Sequence, residues 1–578
     1  MNTYSHIRIS VLAVLIFSVF QFSEARAQHN RWVDSVFHSM TPDERLGQLF
    51  MVEVSSTWSS ADKQFQKVES YIDDCHIGGV VFFYGGPCRQ ASLCNRLQLR
   101  SKVPLMVAQD AEWGLSMRLD SVPVYPRNLC LGAIKDDGII RDLGREMGRE
   151  CRRLGVNIDF MPCVDLYDNF ANPVIANRSF GSGRKNVARK GINIMHGMQH
   201  CGVLTTAKHF PGHGNTSVDS HEALPVITDS YSTIDTLDMY PFKALIKAGV
   251  QGVMVGHLLI PAIVGPGGKT PASISGKVIQ NVLIDSLGFD GLVFTDALQM
   301  KGVCKDYPSG LVELMAFEAG VDVFLIPADC KKSFDYMVEA RNSGRIQQAD
   351  IDRKCRKILY AKYRMGLHSW QPIRTEDLYK DLNTKYSAKL QRRIMENAVT
   401  LIKNDSSLLP LRDLAEKRIA VVSVNASGNG GVFESTFCQY TSVDIFRIQK
   451  TAKDSEFASL AAKLDGYDVI VLGLETVNPY PPSFGTPDPL VTFVDNLAEN
   501  HWLVVDVFNS PVSLTRFGRL DKFAAIVVSY DATDLSQEVS AQMILGSLPF
   551  LGQLPVSLGP AFPEGKSIVT KPLIKIKN

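Results

Sequence analysis

Between residues 48 and 326 the chain carries eight apolar runs of strand length, at 48–54, 78–83, 105–109, 157–164, 204–208, 250–255, 291–295 and 321–326. They are continuous rather than alternating, the pattern of strands covered on both faces, as in parallel sheets. Helical stretches lie between them. Thr41-Pro42-Asp43-Glu44 reads as a capping box with proline at the first helical position. Ser275 is placed to cap a helix whose apolar positions Val278, Ile279, Val282 and Leu283 share one face, with Gly288 as its stop. Eight strand–helix repeats predict an α/β fold, a (β/α)8 barrel, whose catalytic groups belong at the C-terminal ends of the strands. The runs end in, or lead directly into, Glu53, Tyr84, Asp110, Asp165, His209, His257 and Asp296. One polar residue after a strand is ordinary solvated loop, but seven around one barrel mouth predict an active site there.

A second unit follows. The polar segment 368–387, with Trp370 and Pro372, reads as a linker that separates a barrel domain over 28–367 from a further domain over 388–578. Strand candidates at 418–424, 443–448, 468–474, 502–508 and 524–529 alternate with helical stretches, which predicts a C-terminal α/β sandwich. Gly428, Gly430 and Gly431 follow its first strand as a phosphate cradle would. No helix pattern opens there and no acidic partner is well placed, so a flexible loop is the better reading. The proline-rich loop 478–489 reads as a spacer rather than as an arm reaching the barrel mouth.

The first residues are an address. Arg8, the apolar run 9–20 and Ala25-Arg26-Ala27 make a secretory signal peptide over 1–27, which predicts a periplasmic or secreted protein. No later apolar run is long enough to span a bilayer. Lys and Arg number 61 against 60 Asp and Glu, a balance without the basic excess that nucleic acid demands of a partner. The 11 cysteines are scattered and show no zinc or redox spacing, so buried free thiols are expected.

Chemistry concentrates in two motifs. Lys208-His209-Phe210-Pro211-Gly212-His213-Gly214, followed by Asp219-Ser220-His221, packs three histidines, a lysine and an aspartate into one loop region. His209, His213, Asp219 and His221 can be read as metal ligands, although Lys208 would oppose a cation. Acid/base work is the stronger reading. Asp219 and His221 are two apart and share a face of an extended segment, so the carboxylate can fix one imidazole nitrogen while the other moves a proton. The second motif is Phe294-Thr295-Asp296-Ala297-Leu298-Gln299-Met300. A carboxylate at a barrel mouth serves as a nucleophile when a proton donor faces it across a bond to be cleaved.

Residues Lys208 to His221 closely resemble the K-H-F-P-G-H-G-x4-D-S-H signature of β-N-acetylhexosaminidases in glycoside hydrolase family 3. Asn172-Pro173-Val174-Ile175, Asn177-Arg178-Ser179-Phe180, Pro271-Ala272-Ser273 and Asp296 fall in family order, and the second unit looks like the family's α/β sandwich. The resemblance implies a retaining glycosidase for a carbohydrate substrate ending in β-linked N-acetylglucosamine, with no cofactor and no metal. It implies Asp296 as nucleophile, His221 supported by Asp219 as acid/base, and Lys208, His209, Arg178 and Asp110 on the sugar hydroxyls. Asp165 and His257 are expected as pocket lining.

One departure stands out. Where the family commonly has an acidic residue and two glycines after its sugar-binding aspartate, this chain has Asp110-Ala111-Glu112-Trp113-Gly114. Trp113 is expected to reshape an outer subsite or to stack on a sugar face. Alternatives are a β-glucosidase or β-xylosidase of the same superfamily, an N-acetylglucosaminide phosphorylase, a metal-dependent hydrolase, and a sugar-binding protein without turnover.

Overall fold

A computed structural model describes residues 31–219, 223–425, 431–476 and 478–573. The expected signal peptide, His221, and Gly428 and Gly430 lie outside the described residues.

Eight strands form the first sheet: β1 Phe50–Ser56, β2 Gly79–Gly85, β3 Met106–Gln109, β4 Ile158–Asp159, β5 Leu204–Phe210, β6 Gly252–Val255, β7 Leu292–Thr295 and β8 Phe324–Leu325. Each falls within or against one of the eight apolar runs. The hydrogen-bonded order is β7-β6-β5-β4-β3-β2-β1-β8, and the sequential pairs are parallel. A bridge between Phe294 and Val323, with Val323 N donating to Val293 O at 3.1 Å, draws β8 back to β7 and closes the barrel. All seven residues of β5 and all four of β3, β6 and β7 are buried, which explains why these runs are continuous in the sequence.

The helix starts are mostly as local chemistry dictates. Glu44 N donates to Thr41 Oγ1 and Thr41 N to Glu44 Oε2, completing the capping box of helix Pro42–Gly47. The helix at Lys277–Ser286 differs from expectation. It is wound in wider turns, with Asn281 N bonded to Gly276 O, and Ser275 supplies its carbonyl to Val278 and Ile279 rather than its hydroxyl as a cap. Its four apolar positions are buried as the spacing requires.

The second sheet has six strands: β9 Thr400–Asn404, β10 Ile419–Val424, β11 Asp444–Ile448, β12 Val469–Leu474, β13 Leu503–Val507 and β14 Ala525–Val528. Their order is β11-β10-β12-β13-β14-β9. β10 to β14 are parallel and correspond to the five expected strands. β9 runs antiparallel along β14.

The connecting segment is not free. It carries helix Leu378–Leu382 and the start of helix Lys385–Ala398. Ile373 exchanges two hydrogen bonds with Asn95, and Arg149 and Arg153 both hold Asp381. Beyond it the two domains share backbone bonds: Ser182 N donates to Pro555 O at 3.0 Å and Gln553 N to Ala133 O at 3.0 Å. Leu129, Tyr167 and Ala176 of the barrel form one apolar cluster with Phe484, Val512 and Val556 of the second domain. All eleven cysteines are unpaired and most are buried. No helix among the described residues is long and apolar enough to cross a membrane.

Candidate functional site

The C-terminal strand ends of the barrel open into a cavity of about 700 Å³. Five of the seven strand-end residues line it: Glu53, Tyr84, Asp110, His209 and Asp296. Lys208, Arg178 and Asp219 also reach its wall. The β5–β6 pairing shifts register between Ala207 and Phe210, and in that irregular stretch the consecutive residues Lys208 and His209 both face the cavity.

An ion network makes up the floor. Lys208, only 2% exposed, donates to Asp110 Oδ1 at 2.7 Å and lies 2.8 Å from Glu112 Oε1. Arg118 Nη2 donates to Asp110 Oδ2 at 2.6 Å, and Arg178 is forked onto Glu112 at 2.8–3.2 Å. Burial would raise both carboxyls, but the cations outweigh it. Lys208 and Arg118 hold Asp110 well below the ordinary carboxylate range, and Arg178 and Lys208 hold Glu112 at about 2. The same partners raise Lys208 despite its burial. Asp110, Glu112 and Lys208 are therefore charged at neutral pH, and Asp110, Lys208, Arg118 and Arg178 line the cavity with hydrogen-bonding groups suited to hydroxyls.

Asp296 stands at the end of β7. Its backbone N donates to Val255 O at 3.0 Å and its Oδ1 accepts from Ala297 N at 2.8 Å. Burial opposes ionisation, yet His209, His257, the Ala297 amide and Lys208 together shift its pKa downward. Asp219 lines the same cavity from the loop after β5. That loop is rooted by Asn172, whose Nδ2 donates to the carbonyls of His213 and Gly214 at 2.8 Å.

Two expected lining residues are displaced from the wall. Asp165 is buried behind His209, accepting from its Nδ1 at 2.7 Å, from its backbone N, and from His213 N at 2.7 Å. Against burial, these donors hold its carboxyl far below the usual range. His257, fully enclosed, is held between Ser273 Oγ at 2.7 Å and the Ala297 carbonyl at 2.9 Å. Both residues position neighbours. His213 is buried too, which pushes its pKa down to about 4, and its Nδ1 meets Thr216 Oγ1 at 3.0 Å. The set read from the sequence as metal ligands includes His221, which lies outside the described residues; among the described residues the group that comes within reach of one ion is Cys163, Asp165 and His209. There Asp165 is already engaged by three N–H donors.

Trp113 is not on the cavity wall; it packs under Arg127, whose Cζ is 4.9 Å from the ring centre. Residues the sequence did not single out are Arg118 and Trp58 from barrel loops and Tyr480 from the second domain, all lining the cavity. The loop 478–489 thus reaches the barrel mouth and is more than a spacer. Arg118 had no periodic signal, lying in an irregular loop, and Tyr480 is brought in only by domain packing.

Known proteins match most of this chain. The family model described as "Glycosyl hydrolase family 3 N terminal domain" matches residues 41–361. A "Beta-N-acetylglucosaminidase/beta-glucosidase" of Cellulomonas fimi is 29% identical over 405 residues, covering 69% of this chain and 71% of that protein. A "Beta-hexosaminidase A" of Pseudoalteromonas piscicida is 31% identical over 371 residues, 59% of this chain and 61% of that protein. Among solved structures, a glycoside hydrolase family 3 β-N-acetylglucosaminidase from Paenibacillus sp. superposes with a TM-score of 0.75 at 29% identity, covering 90% of this chain and 99% of that one.

Proposed function

The chain belongs to glycosyl hydrolase family 3, and on that premise we propose that it is an exported, retaining β-N-acetylhexosaminidase that removes terminal β-linked N-acetylglucosamine from a glycan. The observation that carries this reading is the pairing, in one cavity, of an ionised, amide-anchored Asp296 with the loop that bears Asp219 and leads to His221. The names of the relatives from Cellulomonas and Paenibacillus support the choice of sugar.

In the first step Asp296 attacks the anomeric carbon while the glycosidic oxygen departs with a proton from His221, leaving a glycosyl ester on Asp296. In the second, His221 takes a proton from water, which attacks the same carbon and releases Asp296; two inversions retain the configuration. Asp219 orients the imidazole of His221 and stabilises it when charged. Lys208, Arg178, Asp110 and His209 bind the sugar hydroxyls. Asp165 and His257 act from behind, fixing His209 and the Ala297 segment. Cleavage after Ala27 delivers the enzyme to the periplasm or the exterior, where muropeptides and chitin fragments are suitable substrates; the mature N-terminus, read by mass spectrometry, should be Gln28.

A panel of 4-nitrophenyl β-glycosides tests the reading. Turnover of the N-acetylglucosaminide is expected to exceed that of the glucoside and the xyloside, and a preference for either of the latter overturns it. Rates that rise with added phosphate, accompanied by sugar 1-phosphate, would make the enzyme a phosphorylase instead.

A further inference from the structure

A buried carboxyl that the reaction scheme does not use lies behind the ion network. Asp110 and Glu112 reach Lys208 from either side of Ala111, and the Ala111 amide between them donates elsewhere, to Asp159 Oδ1 at 2.9 Å. Asp159 stands on β4 opposite Gln109 of β3 and is fully enclosed. The far end of the segment is braced as well. Gly114 N closes a turn onto Ala111 O at 2.8 Å, and a Cβ on Gly114, whose φ is +81°, would come within 2.7 Å of the Tyr125 ring. Tyr125 in turn donates to Glu150 Oε1 at 2.7 Å.

Asp159 uses only half of its carboxyl. Among the described residues Oδ2 has no hydrogen-bond partner, and neither have the two amide atoms of Gln109, its neighbour across the strands. An ionised carboxylate buried in this way forfeits solvation that nothing replaces, whereas the neutral acid has a proton to offer the spare Gln109 Oε1. The groups that face Asp159 favour the neutral form too. Burial raises its pKa to about 8 and Asp110 and Glu112 add to the rise, against the Ala111 amide and Lys208 of β5. From helix Asp137–Arg153 it meets Cys151, a thiol that burial itself keeps neutral. Resting on the glycosidase reading above for the role of the floor, we propose that Asp159 is a positioning residue of the sugar-binding floor. As a neutral acid it holds the Ala111 amide so that Asp110 and Glu112 stand on either side of Lys208. Once ionised it competes for Lys208 and repels both carboxylates, so the floor loses its spacing and sugar binding weakens in alkaline solution.

Asp159→Asn in the full chain reproduces the neutral acid and cannot ionise: its carbonyl accepts from Ala111 N, and its N–H groups stand in for the O–H. The readout is the pH profile of kcat and KM on the aryl β-glycoside that the parent turns over fastest, with both proteins shown to be folded at each pH by circular dichroism. Near neutrality the two should agree within about twofold. By about pH 9 the parent should have lost about fivefold more in kcat/KM than the variant, through KM rather than kcat, the signature of lost sugar binding. Asp159→Leu, which offers Ala111 N nothing, should raise KM about tenfold at every pH. Parallel pH profiles for the parent and Asp159→Asn overturn the proposal, as does a parental KM in a folded Asp159→Leu; should Asp159→Leu not fold, the Asp159→Asn comparison decides alone. A parent that prefers a glucoside or a xyloside refutes the choice of sugar made above and leaves this test standing, because the slope against pH is what is read. A parent that hydrolyses no aryl glycoside overturns the glycosidase reading, and the role of Asp159 falls with it.

Discussion

At Asp296 the main chain and the side chain are fixed by different partners, Val255 O and Ala297 N, so a change at the carboxyl need not disturb the strand. Asp296→Asn is nearly isosteric and keeps the carbonyl that accepts from Ala297 but cannot attack carbon. A kcat loss of several orders of magnitude with a near-parental melting temperature is expected. His221→Ala should fail selectively. An activated phenol needs little protonation to leave, whereas deglycosylation without a base stalls, so kcat and KM should both fall on an activated aryl substrate. Added azide, which needs no general base, should restore turnover and yield a β-glycosyl azide; equal losses on activated and unactivated substrates without rescue would move the acid/base elsewhere. Asp165→Asn puts an N–H donor among the three N–H groups of His209 and His213 that converge on it. About 2 kcal/mol of stability should go with the lost charged hydrogen bonds, seen in urea unfolding, together with a fall in kcat/KM as His209 loses its setting.

The elements that carry these residues were legible in proportion to how local their causes are. Strands enclosed on both faces write themselves as unbroken apolar runs, which is why β1 to β8, β10 and β12 to β14 could be read; β11, an edge strand whose residues are exposed or half-buried, was legible only from its place in the alternation with helices. β9 could not: it is the antiparallel edge of its sheet, and it ends in the half-buried polar pair Lys403 and Asn404. Strand-end position located the mouth of the barrel but not depth within it. Asp165 and His257 therefore passed for wall residues although they sit one layer behind, while Trp113 passed for a subsite although Arg127 takes its face. Segment 176–182 shows how an element can be set by the other domain. Gly181 has φ +141°, and a Cβ there would come within 2.1 Å of Pro555 O. Gly181→Ala should lower the melting temperature and weaken substrate binding, because the segment it displaces carries Arg178; a raised KM with a smaller change in kcat is the expected signature.

Across the whole molecule, buried carboxyls make stability a function of pH in two opposite ways. Burial raises Asp159 to about 8, Glu150 to about 8 and Asp506 to about 7, against the opposing hydrogen bonds of Ala111, Tyr125, and Ser540 and Ser529. Unfolded, these groups titrate near 4. They hold protons in the folded chain that the unfolded chain has shed, so their contribution is full below about 4 and disappears as pH rises through 7 to 8. Asp110, Glu112 and Asp165, held low in the folded state, contribute above about 4 and lose that contribution as the medium becomes more acidic. The melting temperature should therefore peak at mildly acidic pH. Asp506→Asn, which can still bond both serines, should flatten the alkaline limb and leave the acid limb unchanged.

The backbone bonds from Ser182 to Pro555 and from Gln553 to Ala133 have a consequence for how such a chain can be altered. Main-chain groups of each domain complete the hydrogen-bonding of the other, and no side-chain substitution can replace them. A barrel cut free at residue 367 would keep its nucleophile yet leave amide and carbonyl groups beside Arg178 without partners, and Leu129, Tyr167 and Ala176 bare to solvent. The two domains are a single unit of inheritance: neither can be exchanged for a foreign counterpart unless the seam is recut on both sides.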